Sequence, residues 1–428
     1  MNSSLRISLL VHGYPPFEQA GTEQHTALLA TELEQQGHIV QIICATRSPT
    51  HQHAEKLSFG RHRHRIVNNI PSRPLSEKEC DPIIRDLIQE LWQSFSPDII
   101  HIQHLMFLST DLSFPVPTFL TLHDAWMWCA SGGQERELHH TQNPNTTCSG
   151  PEENKCAQCS TKWAPQLPKR GRALIKTAQI LRPIINAQQL NRIWKNLPHG
   201  IRKSFSISTK KEINSTPYDA RKRNLHMHSF AQNFQEIFSP SQYLANRAKK
   251  YLNRDVKVIR HGPKVHREHI GGGGFVFIGG IAVHKGPHIV QEAHQNSCFS
   301  HIPLMFYGPM HDSTLIAENS WCGLRSNQEI LDILQHSDAL IMGSIWPENA
   351  PLVITEALSV GCPVIAPRIG GIPEMIRDGE NGLLYSAGDV EDLAAKIAQY
   401  RSIKKFDRRP QLFSHITRQY VRAYKSKL

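Results

Sequence analysis

The chain alternates short apolar runs of strand character with longer segments whose apolar residues recur at helical spacing. Residues 22–36, for example, have helical spacing and end at Gly37. This alternation predicts parallel sheets joined by crossover helices, which is an α/β fold. The strand-like runs are 6–12, 38–45, 97–103 and 117–123 in the first half and 275–280, 303–308, 338–343 and 362–367 in the second.

The length of 428 residues argues for two cores, since single domains usually hold about 100–200 residues. Four consecutive glycines at 271–274 suit a hinge or a loose linker between the two. We therefore expect an N-terminal domain over 1–265 and a C-terminal domain over 272–407. A final helix over 408–428 is expected to pack back on the N-terminal domain. The cysteine-rich and basic stretch 129–225 is interpreted as an insertion in the first domain.

Composition and patterning exclude several protein classes. A hydrophobic content of 39% and a charged content of 20% suit a globular enzyme. The first apolar run, from Ile7 to Val11, is too short for the core of a signal peptide, and no small-residue cleavage site follows it. No stretch approaches the ~18 consecutive apolar residues that span a bilayer. We therefore expect a cytoplasmic protein whose nine cysteines are not a secreted disulfide framework.

Positive charge is concentrated in one segment of the chain. Between Lys162 and His226 there are fifteen Lys or Arg residues and two acids, whereas the whole chain has a net charge of +11. Such a segment attracts nucleic acid, an anionic membrane surface or a phosphorylated substrate. Its interleaved basic and apolar residues favour peripheral binding on the inner face of a membrane. Nucleic acid is the weaker alternative because stacking aromatics are few and widely spaced, and a solvated insertion is a third.

The strongest local signal for chemistry lies in residues 346–385. Glu348 and Glu356 are separated by seven residues, Pro351 lies where a helix would begin, and Gly361 lies where it would end. Glu348 would thus precede the helix, and Glu356 would lie about one and a half turns on. An isolated pair at this spacing would more often be two solvated carboxylates. Amide N–H groups at the helix start would be free to bind phosphate. They belong to Asn349, Ala350 and Leu352.

With its surroundings, this segment resembles the family 4 glycosyltransferases, which have the GT-B fold of two Rossmann-like domains facing a central cleft. The family pattern is a Glu-x7-Glu motif, a strand and a Gly-Gly-x-x-Glu turn. Here these are Glu348 and Glu356, the run 362–367, and the turn 370–374. Further matches lie at 275–293, 378–382 and 388–389, with weaker ones at 97–105 and 121–126.

The resemblance implies roles for individual residues. Lys285 would contact the donor diphosphate, as a flexible point charge suited to a leaving group that gains negative charge. Glu356 would bind the ribose hydroxyls, and Glu348 with the backbone after it would hold the transferred sugar. His123 would lie near the sugar and the reaction centre. Two glycines would approach the donor in the cleft, Gly21 from the first domain and Gly371 from the second.

The resemblance also implies the reaction. A retaining hexosyltransferase would move a sugar from a UDP- or GDP-sugar to a glycan or lipid-linked acceptor in surface polysaccharide or glycolipid synthesis. Since the chain has no Asp-x-Asp motif, we expect no cofactor for catalysis. The nucleotide base would lie near 323–325. Alternatives are a catalytically idle GT-B subunit that binds a sugar nucleotide or a partner, and a related nucleotide-sugar epimerase.

Two positions depart from the family pattern. Gly280-Ile281 stands where the family commonly has an Arg that shares the diphosphate with the Lys. Ala20-Gly21 replaces a Gly-Gly loop, which adds one methyl group beside the substrate. Candidates for the missing cation are Arg260, His284 and Arg368.

Four cysteines follow the first domain's His-Asp-x-Trp element with the spacing C-x18-C-x7-C-x2-C. A Cys-x2-Cys pair is a good half-site for tetrahedral zinc, and four thiolates could close a structural site. The alternative is four free thiols on a loop, while a disulfide is not expected in a reducing cytoplasm. His139 or His140 could replace one cysteine. The candidate ligands are Cys129, Cys148, Cys156 and Cys159.

Overall fold

The computed structural model describes residues 4–46, 51–68, 79–136, 147–163, 215–403 and 409–428. Two parallel sheets dominate them, one in each half of the chain, with helices packed on their faces. The predicted α/β class with two parallel-sheet domains is therefore confirmed. The basic segment lies largely outside the described residues, as do His139 and His140.

Within the described residues, eight strands form the first sheet. They are β1 (Arg6–Val11), β2 (Ile39–Thr46), β3 (Lys56–Gly60), β4 (Arg63–Val67), β5 (Ile99–Ile102), β6 (Thr118–Thr121), β7 (Glu236–Ser239) and β8 (Lys257–Val258). Their order is β3-β4-β2-β1-β5-β6-β7-β8. All neighbours are parallel except β3 and β4, which form an antiparallel hairpin at one edge. The central strands read as continuous apolar runs because helices and loops cover both faces of the sheet.

Six strands form the second sheet in the described part of the chain. They are β9 (Phe275–Ile278), β10 (Leu304–Tyr307), β11 (Trp321–Gly323), β12 (Ala339–Ile341), β13 (Val364–Pro367) and β14 (Gly382–Tyr385). Their order is β11-β10-β9-β12-β13-β14, and every pair is parallel. In an open parallel sheet, ligands bind outside the carboxyl ends of the strands. That edge is where the glutamate motif lies.

Ten α-helices are found in the described ranges, and among them none is long and apolar enough to cross a bilayer. They are α1 (Gly21–Gln35), α2 (Pro82–Phe95), α3 (Glu153–Trp163), α4 (Pro217–Ala231), α5 (Gln242–Leu252), α6 (Pro287–Asn296), α7 (Asn327–His336), α8 (Leu352–Ser359), α9 (Val390–Ala398) and α10 (Phe413–Lys425). Side-chain caps start several of them. Ser326, for example, exchanges hydrogen bonds with Glu329 in a capping box at α7.

Helix α10 packs on the first sheet although it follows the second in sequence. Phe413, Tyr420 and Tyr424 are almost fully buried in the core that also holds Ile7 and Leu9. These aromatic residues recur at helical spacing, so one face of α10 is apolar and the other faces solvent. Each such burial contributes about 1.5–3 kcal/mol. The end of the chain therefore ties the two halves together.

The four-glycine segment is not a loose linker, contrary to the expectation from its composition. The amide N–H groups of Gly272 and Gly274 donate to the carboxylate of Asp338, at 3.0 and 3.1 Å. The amide of Gly273 donates to His336 O at 2.7 Å. Gly271, Gly272 and Gly274 have positive φ, which glycine adopts without strain. The glycines are needed for a tight turn that leads into β9.

Candidate active site

The start of α8 faces the cleft between the two sheets. Pro351 precedes the helix, and its carbonyl accepts the amide N–H of Ile354 at 3.1 Å. Among the residues that the structure describes, no acceptor pairs with the amide N–H groups of Asn349, Ala350 and Leu352. A helix N-terminus with free amides and the positive end of the helix dipole favours an anion. These amide groups are therefore available to an anion, and phosphate binding there remains a prediction.

Glu348 is a buried carboxylate held by three donors. One oxygen, Oε1, accepts Lys285 Nζ at 2.6 Å, Ser344 Oγ at 2.9 Å and Trp346 Nε1 at 3.0 Å. The residue is 6% exposed. A buried charge needs partners of this kind, because an unpaired one would be strongly destabilising. The structure thus brings two predicted site residues, Lys285 and Glu348, into direct contact.

Glycines decide where these two side chains lie. Gly286 and Gly343 cross so closely that a Cβ on Gly286 would lie 1.8 Å from Gly343 O. This crossing brings the turn carrying Lys285 beside the loop before Glu348. On the other side, Gly370 has φ +61°, and a Cβ there would lie 2.2 Å from Glu348 O. Larger residues at these glycines would force the backbones apart and move the ion pair.

Gly371, a predicted donor-site residue, also serves as a contact point. Its amide N–H donates to Glu348 O at 2.8 Å. A Cβ on Gly371 would lie 2.0 Å from Asn349 O and 2.9 Å from the Cβ of Ser241, which belongs to the first half of the chain. Gly371 therefore allows the two halves to approach beside the start of α8.

Glu356 lies inside α8, on the side of the helix near α7. Its side chain is partly buried and accepts a hydrogen bond from the side-chain amide of Asn327. Burial raises the pKa of Glu356, and the Asn327 hydrogen bond only partly offsets that effect. A desolvated carboxylate with a single neutral partner can accept further hydroxyl hydrogen bonds.

The three candidates for the missing cation are all unsuitable in this conformation. Arg260 forms an ion pair with Glu374 at 3.0 Å, and Arg368 forms one with Asp378 at 2.9 Å. Burial lowers the pKa of His284 to about 4, so this imidazole is neutral at pH 7. None of the three therefore offers an uncommitted positive charge at Gly280.

A different arginine lies near this turn. The charge of Arg136 is the largest electrostatic influence on His284 after burial, followed by that of Lys285, and both lower the histidine's pKa. Arg136 is partly buried, and its guanidinium donates to Gln134 Oε1 at 2.7 Å. It belongs to the segment after His123 in the first half of the chain. The sequence did not single it out because no motif marks it.

His123 lies across the cleft from α8. Its backbone oxygen accepts Asn349 Nδ2 at 2.9 Å, and its Nε2 contacts Gln103 Oε1 at 2.9 Å. Its ring neighbours those of His25 and His261. Burial, and then the charge of His261, lower the pKa of His123 well below its ordinary value. The imidazole is therefore neutral and can donate or accept one hydrogen bond.

Gly21 stands at the first turn of α1 and faces the start of α8. A Cβ on Gly21 would lie 3.8 Å from Cδ1 of Leu352, which is an ordinary van der Waals contact. The first and second halves of the chain thus meet at two predicted donor-site residues. Asn349, Gly371 and His123 also make contacts between the two halves.

Two residues of the second half hold the halves together. Asn349 bridges the His123 backbone and the side chain of Ser241. The Glu374 carboxylate accepts the backbone N–H groups of Gln242 and Tyr243 at 2.8 and 2.7 Å. Glu374 thereby caps the N-terminus of α5, which carries the positive end of that helix dipole. The last residue of the Gly-Gly-x-x-Glu turn is therefore a contact between the domains.

The structure adds a polar pair that sequence reasoning missed. His12 Nε2 lies 3.1 Å from Glu23 Oε1, and Glu23 is 3% exposed. Burial alone would raise the pKa of Glu23, but the hydrogen bond and charge of His12 outweigh it and the pKa is lowered. His104 and Asp124 form a second pair at 3.4 Å. His12, His104 and Asp124 follow the ends of β1, β5 and β6, directly or within three residues. This position after the strand ends is the signal by which the sequence could have identified them.

The remaining predicted residues lie in two other places. The base-side positions follow or end β11, where Leu324 is exposed and the Arg325 guanidinium lies 5.8 Å from the centre of the Tyr307 ring. The four candidate zinc ligands lie together outside the cleft and line one small cavity. They are Cys129, Cys148, Cys156 and Cys159.

Two family models match the chain, one in each half. The model described as Glycosyltransferase Family 4 matches residues 20–146, and the model described as Glycosyl transferases group 1 matches residues 273–411. Relatives align over shorter stretches. The sulfoquinovosyl transferase SQD2 of Arabidopsis thaliana is 38% identical over 18% of this chain and 15% of its own length. The putative colanic acid biosynthesis glycosyltransferase WcaL of Salmonella typhimurium is 31% identical over 19% of this chain and 21% of its own.

Solved structures match almost the whole chain at low sequence identity. Sucrose-phosphate synthase from Thermosynechococcus elongatus has a TM-score of 0.62 at 13% identity, over 99% of this chain and 98% of that one. Anabaena HepE, solved in complex with UDP-glucose, has a TM-score of 0.57 at 14% identity, over 99% and 100%. This likeness confirms the predicted two-domain GT-B fold. The chain therefore has the GT-B fold, and it matches the Glycosyltransferase Family 4 model in its first half and the Glycosyl transferases group 1 model in its second.

Proposed function

We propose that this protein transfers a sugar from a UDP- or GDP-sugar to a glycan or lipid-linked acceptor, with retention of anomeric configuration. The observation that carries the proposal is the convergence of a cation, a buried carboxylate and a free helix N-terminus at one point of the cleft. Lys285, Glu348 and the start of α8 form that point. HepE, solved with UDP-glucose, shares the fold and supports a nucleotide-sugar donor.

The donor diphosphate would lie between Lys285 and the first amides of α8. The Lys285 side chain is 29% exposed, so a phosphate oxygen can approach it without disrupting the core. Its partner Glu348 holds it in place while remaining buried. Because both the cation and the amides are positioned before the donor arrives, they stabilise the negative charge that develops on the leaving group.

The other predicted residues would orient the rest of the donor. Glu356 would accept hydrogen bonds from the ribose hydroxyls, since its desolvated carboxylate has only a neutral amide partner. Glu348 and the backbone after it would contact the transferred sugar. Neutral His123 would hydrogen-bond a sugar hydroxyl from the opposite wall. Fixing the donor on both walls places the anomeric carbon between the two halves of the chain.

The reaction would proceed on one face of the sugar. The bond between the anomeric carbon and the diphosphate oxygen breaks while the acceptor hydroxyl oxygen bonds to the same face of that carbon. The hydroxyl proton passes to the leaving phosphate oxygen. Lys285 and the α8 amides hold the negative charge that the leaving group gains. Retention follows because the new bond replaces the old one on the same side.

The transferred sugar would be a hexose, and the acceptor would be a glycan or a lipid-linked molecule of surface polysaccharide or glycolipid synthesis. WcaL, a relative described as a putative colanic acid biosynthesis glycosyltransferase, supports the polysaccharide setting, and SQD2, a sulfoquinovosyl transferase, supports transfer of a sugar. The basic segment 162–226 would then rest on the anionic inner face of a membrane. Cosedimentation with phosphatidylglycerol vesicles should fall steeply with salt, and equal binding to neutral vesicles would contradict the membrane role.

The central experiment measures transfer and donor hydrolysis with a panel of UDP-, GDP- and ADP-sugars. One donor should be consumed by the wild type, and Lys285→Ala and Glu348→Gln should each reduce turnover by about 100-fold or more, as for loss of one transition-state contact. Lys264→Ala and Glu391→Gln are matched controls, since both side chains are exposed. NMR of the product reports its anomeric configuration, and an inverted product would contradict retention.

An idle donor-binding subunit is the second candidate, and the missing Arg at Gly280 favours it. Such a protein would bind one nucleotide sugar with the same dependence on Lys285. It would neither hydrolyse nor transfer the sugar with any acceptor, including membrane extracts. Calorimetry beside the turnover assay separates the two, because binding without turnover supports the idle subunit and binding with turnover supports the transferase.

A further inference from the structure

Four cysteines from residues 129–159 line a single cavity of about 20 Å³. They are Cys129, Cys148, Cys156 and Cys159. Cys156 and Cys159 are each 7% exposed, and they lie three residues apart on α3, so both point from one face of the helix. A cavity of this size has room for about one water-sized sphere. Four sulfur atoms around so small a space match the ligand set of a tetrahedral metal ion.

The Cys148 sulfur forms hydrogen bonds in both directions with Gly150, since its thiol donates to Gly150 O at 3.3 Å and its sulfur accepts the Gly150 amide. The amide N–H of Gly150 points at Cys148 Sγ, with a nitrogen-to-sulfur distance of 3.4 Å. An N–H from two residues downstream stabilises sulfur when it carries negative charge, as in a metal-bound thiolate. Gly150 has φ +138°, and a Cβ on it would lie 2.3 Å from Tyr251 Oη. This turn is therefore built closely against α5.

The rest of the cysteine segment is also fastened to α5. Arg247 of that helix donates to Cys148 O at 3.2 Å and bonds the buried carboxylate of Glu135. Tyr251 Oη donates to Ser149 O at 2.8 Å. Helix α3 of the same segment packs on α4, where Ala130, Cys156 and Ala157 form a small buried cluster with Ala220.

We propose that the four cysteines bind one structural zinc ion, which holds the segment from Cys129 to Cys159 against α5. Zinc with four thiolate ligands is the closed tetrahedral arrangement of structural sites. Each thiol would lose its proton on binding, and the ion would replace four S–H bonds with four zinc–sulfur bonds. Among the described residues, no group of three or more His, Cys or acidic side chains is already arranged around an ion position. Zinc binding would therefore require the thiol side chains to turn into the cavity.

The site would matter for the cleft because the segment starts beside it. Gly133 lies against Asp124, so closely that a Cβ on Gly133 would be 2.5 Å from the carboxylate. Asp124 directly follows His123. At the other end of the same loop, Arg136 lies beside the cavity and near His284 of the second half. An ion at the cysteines would stiffen this loop without contacting the substrate.

The experiment uses the full chain purified under reducing conditions and then equilibrated with zinc. Elemental analysis after removal of free metal should find about one zinc per chain, as for a closed site. Cys156→Ser should lose the ion, whereas Cys298→Ser, an exposed cysteine of the second half, should keep it. Titration with a mercurial reagent should release the zinc as the thiols react.

A second measurement does not depend on how the variants fold. Wild-type protein loaded with Co²⁺ in place of zinc should show the intense visible bands of tetrahedral cobalt and thiolate-to-cobalt charge transfer in the near ultraviolet. Absence of those bands, no zinc above the Cys156→Ser background, iron in place of zinc, or disulfides among the four cysteines would each overturn the proposal. None of these results depends on glycosyl transfer, so the site and the proposed function are tested separately.

Discussion

Replacing Glu356 by glutamine separates donor binding from folding. The carboxylate is partly buried, its pKa is raised by burial, and the side-chain amide of Asn327 is its hydrogen-bond partner in the structure. Glutamine keeps the size and the acceptor oxygen but removes the charge that burial disfavours. We therefore expect the free energy of unfolding without donor to stay within about 1 kcal/mol of wild type, or to rise.

The same substitution should weaken donor binding. Hydrogen bonds from ribose hydroxyls to a carboxylate contribute about 1.5–3 kcal/mol each, and those to a neutral amide about 0.5–1.5 kcal/mol. The difference, summed over one or two hydroxyls, is about 1–3 kcal/mol, which corresponds to an increase in Kd of about 5- to 150-fold. Greater or equal stability together with weaker binding is the signature of a residue that serves the ligand rather than the fold.

Calorimetry and thermal unfolding with the preferred nucleotide sugar measure both quantities. At a hundred times its Kd the donor should stabilise wild type by about 2.7 kcal/mol, and this gain should shrink in Glu356→Gln but not in Glu391→Gln, an exposed control. A Glu356→Gln protein that binds the donor within about twofold of wild type would refute the reasoning. So would a loss of more than about 2 kcal/mol of stability without donor, since that would indicate a structural role.

The pH dependence of binding follows from the raised pKa of Glu356. In the free protein, the stability tied to the neutral form is fully present below the usual value of 4.5 and is lost as pH rises through the raised pKa. Ribose hydroxyls favour the ionised form, so donor affinity should increase with pH over that window. In Glu356→Gln this increase should be absent, and an unchanged pH profile would contradict the assignment.

Three further changes test the way the cleft is built. Lys285→Met leaves the buried Glu348 carboxylate with neutral donors only, so urea unfolding should show a loss of about 1–3 kcal/mol, and unchanged stability would contradict the ion pair. Gly370→Ala places a methyl group against Glu348 O at a residue with positive φ, so the free energy of unfolding should decrease by about 1–3 kcal/mol. Turnover should also decrease, because Glu348 must move. Glu374→Ala removes the carboxylate that accepts the Tyr243 N–H of α5, and with it a contact between the domains. The radius of gyration measured by X-ray scattering without donor should therefore increase. An unchanged radius would argue against a domain contact.

The strand and helix pattern predicted the fold class because it is a local property of the chain. Each of the eight apolar runs singled out in the sequence contains a strand of the structure. Six other strands in the described residues were not singled out. In the edge hairpin, β3 alternates between exposed and partly buried residues and β4 begins with three partly buried ones, so neither strand reads as a continuous apolar run. The four-glycine segment was misinterpreted for a related reason. Glycine predicts freedom in isolation, whereas the turn here is held by the distant Asp338.

The sequence singled out candidate site residues but not their geometry. The glutamate motif and the Lys-Gly turn singled out Glu348 and Lys285, yet their 2.6 Å contact joins residues 63 positions apart. That contact depends on the crossing of Gly286 and Gly343, which no periodicity reveals. Likewise, the candidates Arg260 and Arg368 could be excluded only after their partners were visible.

Sequence alone thus determined the class of fold, the helix that opens at Pro351 and the residue types available in the cleft. These properties depend on interactions between residues that are close in sequence. The distances between such residues are nearly the same in any fold. Tertiary structure decided which charges are paired, which carboxylates are desolvated, and that Glu374 caps a helix of the other half. It also decided that four dispersed cysteines share one cavity. Burial and pairing depend on packing between distant segments, and packing is a property of the whole chain.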